Sequence, residues 1–138
     1  MKVLVVGGAG YIGSTVSRSL LEAGHDVVIF DNLSRGHREA VPGKAVLEVG
    51  DLEDAGALDR LFQEHRFEAV LHFAAWIEAG ESMQLPAKYF RNNTANSCQL
   101  FEAMHTHGVK KLVFSSTAAL YGNPELSPIP ETAELRPT

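Results

Sequence analysis

Four glycines fall within seven residues, Gly7-Gly8-Ala9-Gly10-Tyr11-Ile12-Gly13, between an apolar run and an amphipathic one. Lys2 to Val6 reads as a short buried strand, and Tyr11 to Ala23 as a helix with Ile12, Val16 and Leu20 on one face and Gly24 as its stop. A glycine trio alone is a weak signal, because glycines also mark ordinary turns. Placed between a strand and a helix, it is the context of a phosphate-binding loop. Glycines permit the tight turn and the close approach of backbone N–H groups, and the helix N-terminus adds unpaired donors with a partial positive charge.

The alternation continues along the chain. Asp26 to Phe30 and Ala45 to Val49 read as the second and third strands. A helix is expected from about Asp54 to His65, with Leu58, Leu61 and Phe62 inward. Ala69 to Phe73 reads as a fourth strand, Leu85 to His107 as a long helix and Lys111 to Ser115 as a fifth strand. Such alternation predicts an α/β fold, a Rossmann-type doubly wound parallel sheet with right-handed crossovers and strand order 3-2-1-4-5. Residues 1–121 form the expected dinucleotide-binding domain, and 122–138, with four of the six prolines, an irregular tail.

Composition narrows the function. At 138 residues and 45% hydrophobic, the chain suits one globular core and not disorder. Its net charge of −5, with no basic cluster beyond Lys110-Lys111, argues against a nucleic-acid partner. The apolar run after Met1 is too short for a membrane span or signal core, so no membrane association is expected. Cys98 is the only cysteine, which excludes an internal disulfide and fits a reducing cytoplasm; mid-helix, it is expected to be buried. No metal site is expected. None of the six histidines pairs convincingly, and His105 and His107, two apart on a helix, face different ways.

Asp31 ends the second strand, eighteen residues beyond Gly13. By itself, Asp31-Asn32 is good turn chemistry. Downstream of a glycine loop it also has the spacing of a carboxylate that binds an adenosine ribose. Such a carboxylate repels a 2′-phosphate, so NAD is favoured over NADP. Arg35 and Arg38 are expected to be exposed loop residues.

The glycine spacing, Asp31-Asn32-Leu33-Ser34, Gly50-Asp51-Leu52, His72-Phe73-Ala74-Ala75 and Ser115 to Gly122 together resemble the extended short-chain dehydrogenase/reductase family. Gly80-Glu81-Ser82-Met83 and Tyr89-Phe90-Arg91-Asn92-Asn93 make the chain similar, within that family, to the N-terminal half of the nucleotide-sugar 4-epimerases. The resemblance implies NAD as cofactor, with Gly7, Gly10, Tyr11, Ile12 and Gly13 at its pyrophosphate. It implies Asp31 and Asn32 at the adenosine ribose, Asp51 and Leu52 at the adenine edge, and Phe73 and Ala74 along the cofactor. Asn92 would reach the nicotinamide half, and Ser115 would stand beside it. Two positions depart from the family pattern: Val6 replaces a threonine, and Ile77 a cofactor-contacting lysine. The long helix reads as two semi-apolar seams, Tyr89/Asn93/Asn96/Leu100/Ala103 and Phe90/Ser97/Phe101/Met104; the resemblance implies a homodimer through residues 85–107.

The implied reaction interconverts UDP-glucose and UDP-galactose through a 4-keto sugar, with a tyrosine base, a lysine four residues after it, and a Ser or Thr hydroxyl. Thr117 matches the hydroxyl. None of Tyr11, Tyr89 and Tyr121 has a lysine four residues on, so the general base is absent from these 138 residues. The fold is therefore expected to be truncated before the catalytic helix and sixth strand, with the fifth strand uncovered, and the chain alone inactive. Another family enzyme acting on nucleotide sugars, a dehydratase or a reductase, is an alternative. Ala118-Ala119 occupy the places of a dehydratase's Asp-Glu pair, which weakens the first of these. A non-catalytic NAD-binding module is the third.

Overall fold

The computed structural model describes residues 1–138. Five parallel strands, β1 (Lys2–Val6), β2 (Asp26–Asp31), β3 (Val46–Val49), β4 (Ala69–His72) and β5 (Leu112–Phe114), pair in the order β3-β2-β1-β4-β5. This is the expected doubly wound order. The chain builds outward from β1 to β3, then returns to place β4 on the other side, so the sheet's switch point lies between β1 and β4.

The central strands are buried on both faces, as continuous β-branched runs require. On one face Leu4, Val6, Val28, Phe30 and Val70 pack against Leu58, Leu61 and Phe62 of α2 (Ala55–His65) and Leu100 and Met104 of α5 (Asn96–Thr106). Asp54 caps α2, its carboxylate accepting the Ala57 N–H at 2.9 Å. On the other face Val3, Val5, Val27 and Ile29 lie beneath Leu20 and Leu21 of α1 (Tyr11–Glu22).

Helix α1 is rolled relative to the expected face. Its buried residues are Gly13 and Ser17, whereas Val16 is half-buried and Ile12 is exposed. The reason is the loop beneath it: a Cβ on Gly13 would run into the Gly7 carbonyl and sit 2.7 Å from Gly8 Cα. Small residues therefore face the sheet, and the larger Ile12 is turned outward.

The expected long helix from Leu85 to His107 is also corrected. A short helix α3 (Ala79–Gln84) precedes it, Pro86 opens α4 (Pro86–Tyr89), and Phe90–Ala95 forms a π-helical turn that leads into α5. A wide turn shifts the phase of the side chains that follow. The buried face consequently draws on both anticipated seams, through Tyr89, Asn96, Ser97, Leu100 and Met104, while Phe90 and Phe101 are exposed. Cys98 is exposed too, contrary to expectation, because it falls on the outer side of that shifted face.

At the sheet's edge β5 is exposed along its whole length, at 39–56% for Leu112, Val113 and Phe114. Residues 122–138 contain no helix or strand. No helix is long and apolar enough to cross a membrane.

Candidate functional site

The C-terminal ends of β1, β2 and β4 open into a cleft holding about 630 Å³ of space, its open mouth included. Its floor is the glycine turn. Gly7 has φ +77°, the left-handed region that glycine enters without strain, and a Cβ there would lie 2.6 Å from the Ala74 nitrogen. Gly10 differs from Gly7 and Gly13. A Cβ on it would meet nothing but the Gly7 carbonyl, at 3.4 Å. Packing does not demand glycine at 10, and the room it leaves belongs to the cleft. Gly10 also caps α1 without a side-chain hydrogen bond, so Tyr11, Ile12 and Gly13 present N–H groups with no partner inside the helix. The turn thus fits an anionic group of the size of a pyrophosphate.

Asp31 is 8% exposed at the end of β2. One carboxylate oxygen accepts the Ala9 N–H at 2.9 Å and the other the Leu33 N–H at 2.8 Å, which leaves further lone pairs for a ligand hydroxyl. Gly36 passes so close that a Cβ would stand 2.8 Å from the same carboxylate. Asn32 donates to Asp51 across the cleft at 2.7 Å, joining the loops that follow β2 and β3. Gly50 permits this approach, because a Cβ there would strike the Phe30 ring at 2.5 Å.

Nine of the cofactor candidates read from the sequence line this one cleft: Gly7, Gly10, Asp31, Asn32, Asp51, Leu52, Phe73, Ala74 and Asn92. Gly13 lies buried behind it, and the side chains of Tyr11 and Ile12 point to solvent on the first turn of α1. Ser115 and Thr117 stand apart at the end of β5. Ser115 donates its N–H to the His72 carbonyl at 3.1 Å, and the exposed Thr117 accepts the Ala119 N–H at 3.2 Å.

Sequence reasoning missed three contributors. Arg35 is the exposed loop residue expected, yet it also bridges the mouth: its guanidinium is 3.2 Å from Glu78 and 4.9 Å from the centre of the Trp76 ring. Trp76 itself lines the cleft, with the Lys88 ammonium 4.1 Å from its ring. Asn93 grips the Trp76 backbone, accepting its N–H and donating to its carbonyl. A lone tryptophan and an Asn-Asn pair carry no spacing rule that would have assigned them.

Behind this wall, buried His72 has Nε2 2.8 Å from Ser97 Oγ, which in turn donates to the Asn93 carbonyl at 2.9 Å. Since that hydroxyl proton is used, Nε2–H is the donor and Nδ1 keeps an unpartnered lone pair. Tyr89 donates to Glu81 at 2.7 Å. Desolvation and that bond push the phenol up to about 12, so it is a donor at neutral pH and no base. Glu81 is held below the usual carboxylate range by the Tyr89 bond and by Lys88.

The switch-point cleft, its glycine floor and the carboxylate at the tip of β2 define a Rossmann-type α/β domain. The chain belongs to the NAD dependent epimerase/dehydratase family, which it matches over residues 3–138. The UDP-glucose 4-epimerase of Corynebacterium glutamicum is 50% identical over 138 residues, covering all of this chain and 41% of that protein. A crystal structure of a UDP-glucose 4-epimerase superposes with a TM-score of 0.91 at 41% identity, over 100% of this chain and 42% of that one. The Brucella ovis UDP-glucose 4-epimerase in complex with NAD gives 0.88 at 40% identity, over 99% and 42%. The chain thus spans about two fifths of the length of these relatives.

Burial pushes the His72 imidazole from 6.5 down to about 4. Above pH 6.5 it is neutral whether folded or not. As pH falls below 6.5 the unfolded chain takes up the proton first, so folding stability declines until about pH 4, by ~3 kcal/mol in all. Urea unfolding at several pH values should show a shallower acid-side loss for His72→Gln than for wild type; identical slopes would contradict this.

Proposed function

We propose that this chain is the NAD-binding portion of a soluble, cytoplasmic nucleotide-sugar 4-epimerase, whose reaction interconverts UDP-glucose and UDP-galactose. The observation that carries the reading is the cleft with Gly10 at its floor and Asp31 at its wall, found in a chain half identical to such an enzyme. NAD supplies a hydride acceptor and donor at the sugar's C4 when bound. The chain's own part is to hold and orient. The backbone of Gly7 and Gly10, with the N–H groups of Tyr11, Ile12 and Gly13, neutralises the pyrophosphate at the positive end of α1. Asp31 and Asn32 accept the adenosine ribose hydroxyls, and Asp51 and Leu52 border the adenine. Phe73, Ala74, Asn92 and Ser115 bound the nicotinamide half. Thr117 supplies a hydroxyl to hold a substrate oxygen; it cannot deprotonate a sugar at neutral pH.

Residues 1–121 serve as the NAD-binding domain in this reading, and 122–138 connect it to the rest of the enzyme. A tyrosine base outside these residues completes the site, so the 138-residue chain alone turns over no UDP-glucose. Loss of a general base typically costs about 10²–10⁴-fold in rate.

The enzyme is a homodimer through the 85–107 segment in the same proposal. Support comes from the exposed Phe90 and Phe101 of that segment, Phe101 standing beside the likewise exposed Phe114 ring of β5. Phe101→Glu should convert a dimer to a monomer in sedimentation equilibrium; a wild-type chain that stays monomeric at high concentration would refute this face.

Titration calorimetry tests the cofactor reading. The chain should bind NAD more tightly than NADP, and Asp31→Asn should weaken NAD while narrowing the difference, because the charge that repels a 2′-phosphate is gone. An equal loss for both cofactors would remove Asp31 from the ribose site.

A further inference from the structure

The cleft wall made by Phe73, Ala74, Ala75 and Trp76 is a short arch between the end of β4 and α3. Its first peptide is held by the sheet, Phe73 donating its N–H to the Val6 carbonyl at 2.8 Å. Ala74 rests only its methyl on the core, and the exposed Ala75 has no polar side chain to anchor it. While Arg35 and Lys88 flank the Trp76 ring, the backbone of the far end is held by one amide. Asn93 Oδ1 accepts the Trp76 N–H at 2.9 Å, and Asn93 Nδ2 donates to the Trp76 carbonyl at 2.9 Å. The backbone N–H and C=O of Trp76, which belong to successive peptides, are thus both satisfied by a single side chain. Asn92 donates to the same Oδ1 at 2.8 Å, which fixes the orientation of the amide.

The near end is tied to the same stretch of helix. His72 donates to Ser97 Oγ, and Ser97 lies four residues after Asn93 and donates to its carbonyl. Two points four residues apart on the chain of β4, His72 and Trp76, are therefore pinned to two points four residues apart on the helix, Ser97 and Asn93. The π-turn of Phe90–Ala95 contains Asn92 and Asn93. Such one-turn widenings recur at functional sites because they redirect side chains out of the helical repeat.

We propose that Asn93 is a positioning residue for the cleft. Its amide sets the height of the arch, so that Ala74 and Ala75 leave room for the cofactor and Trp76 closes the side. This rests on the cofactor reading above, and adds to it a residue that acts through the backbone of Trp76. The π-turn and the Ser97–His72 pair are the scaffold that keeps the amide in place.

Trp76 is the chain's only tryptophan, so its fluorescence reports the arch directly. Asn93→Ala should raise acrylamide quenching of Trp76 and weaken NAD about tenfold, the scale expected for two lost hydrogen bonds. Asn93→Asp, which keeps the acceptor and loses the donor to the Trp76 carbonyl, should fall between; it carries the test if the alanine variant does not fold. Thr94→Ala, an exposed change in the same turn, should leave both readings at wild-type values. A purely structural Asn93 would lower the melting temperature yet leave the NAD affinity of the folded protein unchanged, and that result would overturn the proposal. Wild-type quenching in both Asn93 variants would overturn it as well. Should the wild-type chain itself fail to bind NAD, the cofactor reading fails, and the quenching comparison alone decides whether Asn93 anchors the arch.

Discussion

The carboxylate of Asp31 is the interaction on which the cleft depends. It accepts the Ala9 N–H from the glycine turn and the Leu33 N–H from its own loop, so the tip of β2 and the turn after β1 are fixed to one group. Gly7 donates its N–H to the Phe30 carbonyl at 2.9 Å, and His37 donates to the Ala9 carbonyl at 2.9 Å, closing the same junction from both sides. A buried carboxylate is tolerated because two backbone donors replace the water it gives up. The same arrangement makes it useful: it stays in the cleft wall with lone pairs to spare.

The opposite wall obeys a different constraint. There the strand ends early, and beyond Phe73, whose N–H still bonds the Val6 carbonyl, Ala74 and Ala75 carry only methyl groups to hold the chain. Their order comes from the helix behind, through His72, Ser97 and Asn93. The neutral His72 suits this role, since a charged imidazole would have to give up its water in a site where it is only 2% exposed. The two walls are joined across the mouth by Arg35, whose ion pair with Glu78 lies at the surface and is cheap to exchange.

The fold was largely legible because its signals are periodic. Continuous β-branched strands, the Leu58/Leu61/Phe62 face of α2 and the glycine turn each follow rules of spacing that survive without three-dimensional context. What was not legible depends on contacts between distant residues. The roll of α1 follows from the closeness of Gly13 to the Gly7 carbonyl, which no helical repeat encodes. The π-turn at Phe90–Ala95 mixed the two anticipated seams and turned Cys98 outward. At the site, the glycines and Asp31 had a known spacing. Trp76, Arg35 and Asn93 gain their places only when the loops after β2 and β4 and the helix meet at one cleft.

The central claim is that the switch-point cleft binds a dinucleotide. Backbone ¹H–¹⁵N spectra of the chain during NAD titration test it most directly. Saturable shifts should gather at Gly7, Gly10, Asp31 to Gly36 and Phe73 to Trp76, with Leu112 to Phe114 of β5 unmoved. Absence of saturable shifts, or shifts confined to the groove between Phe101 and Leu112, would contradict the account.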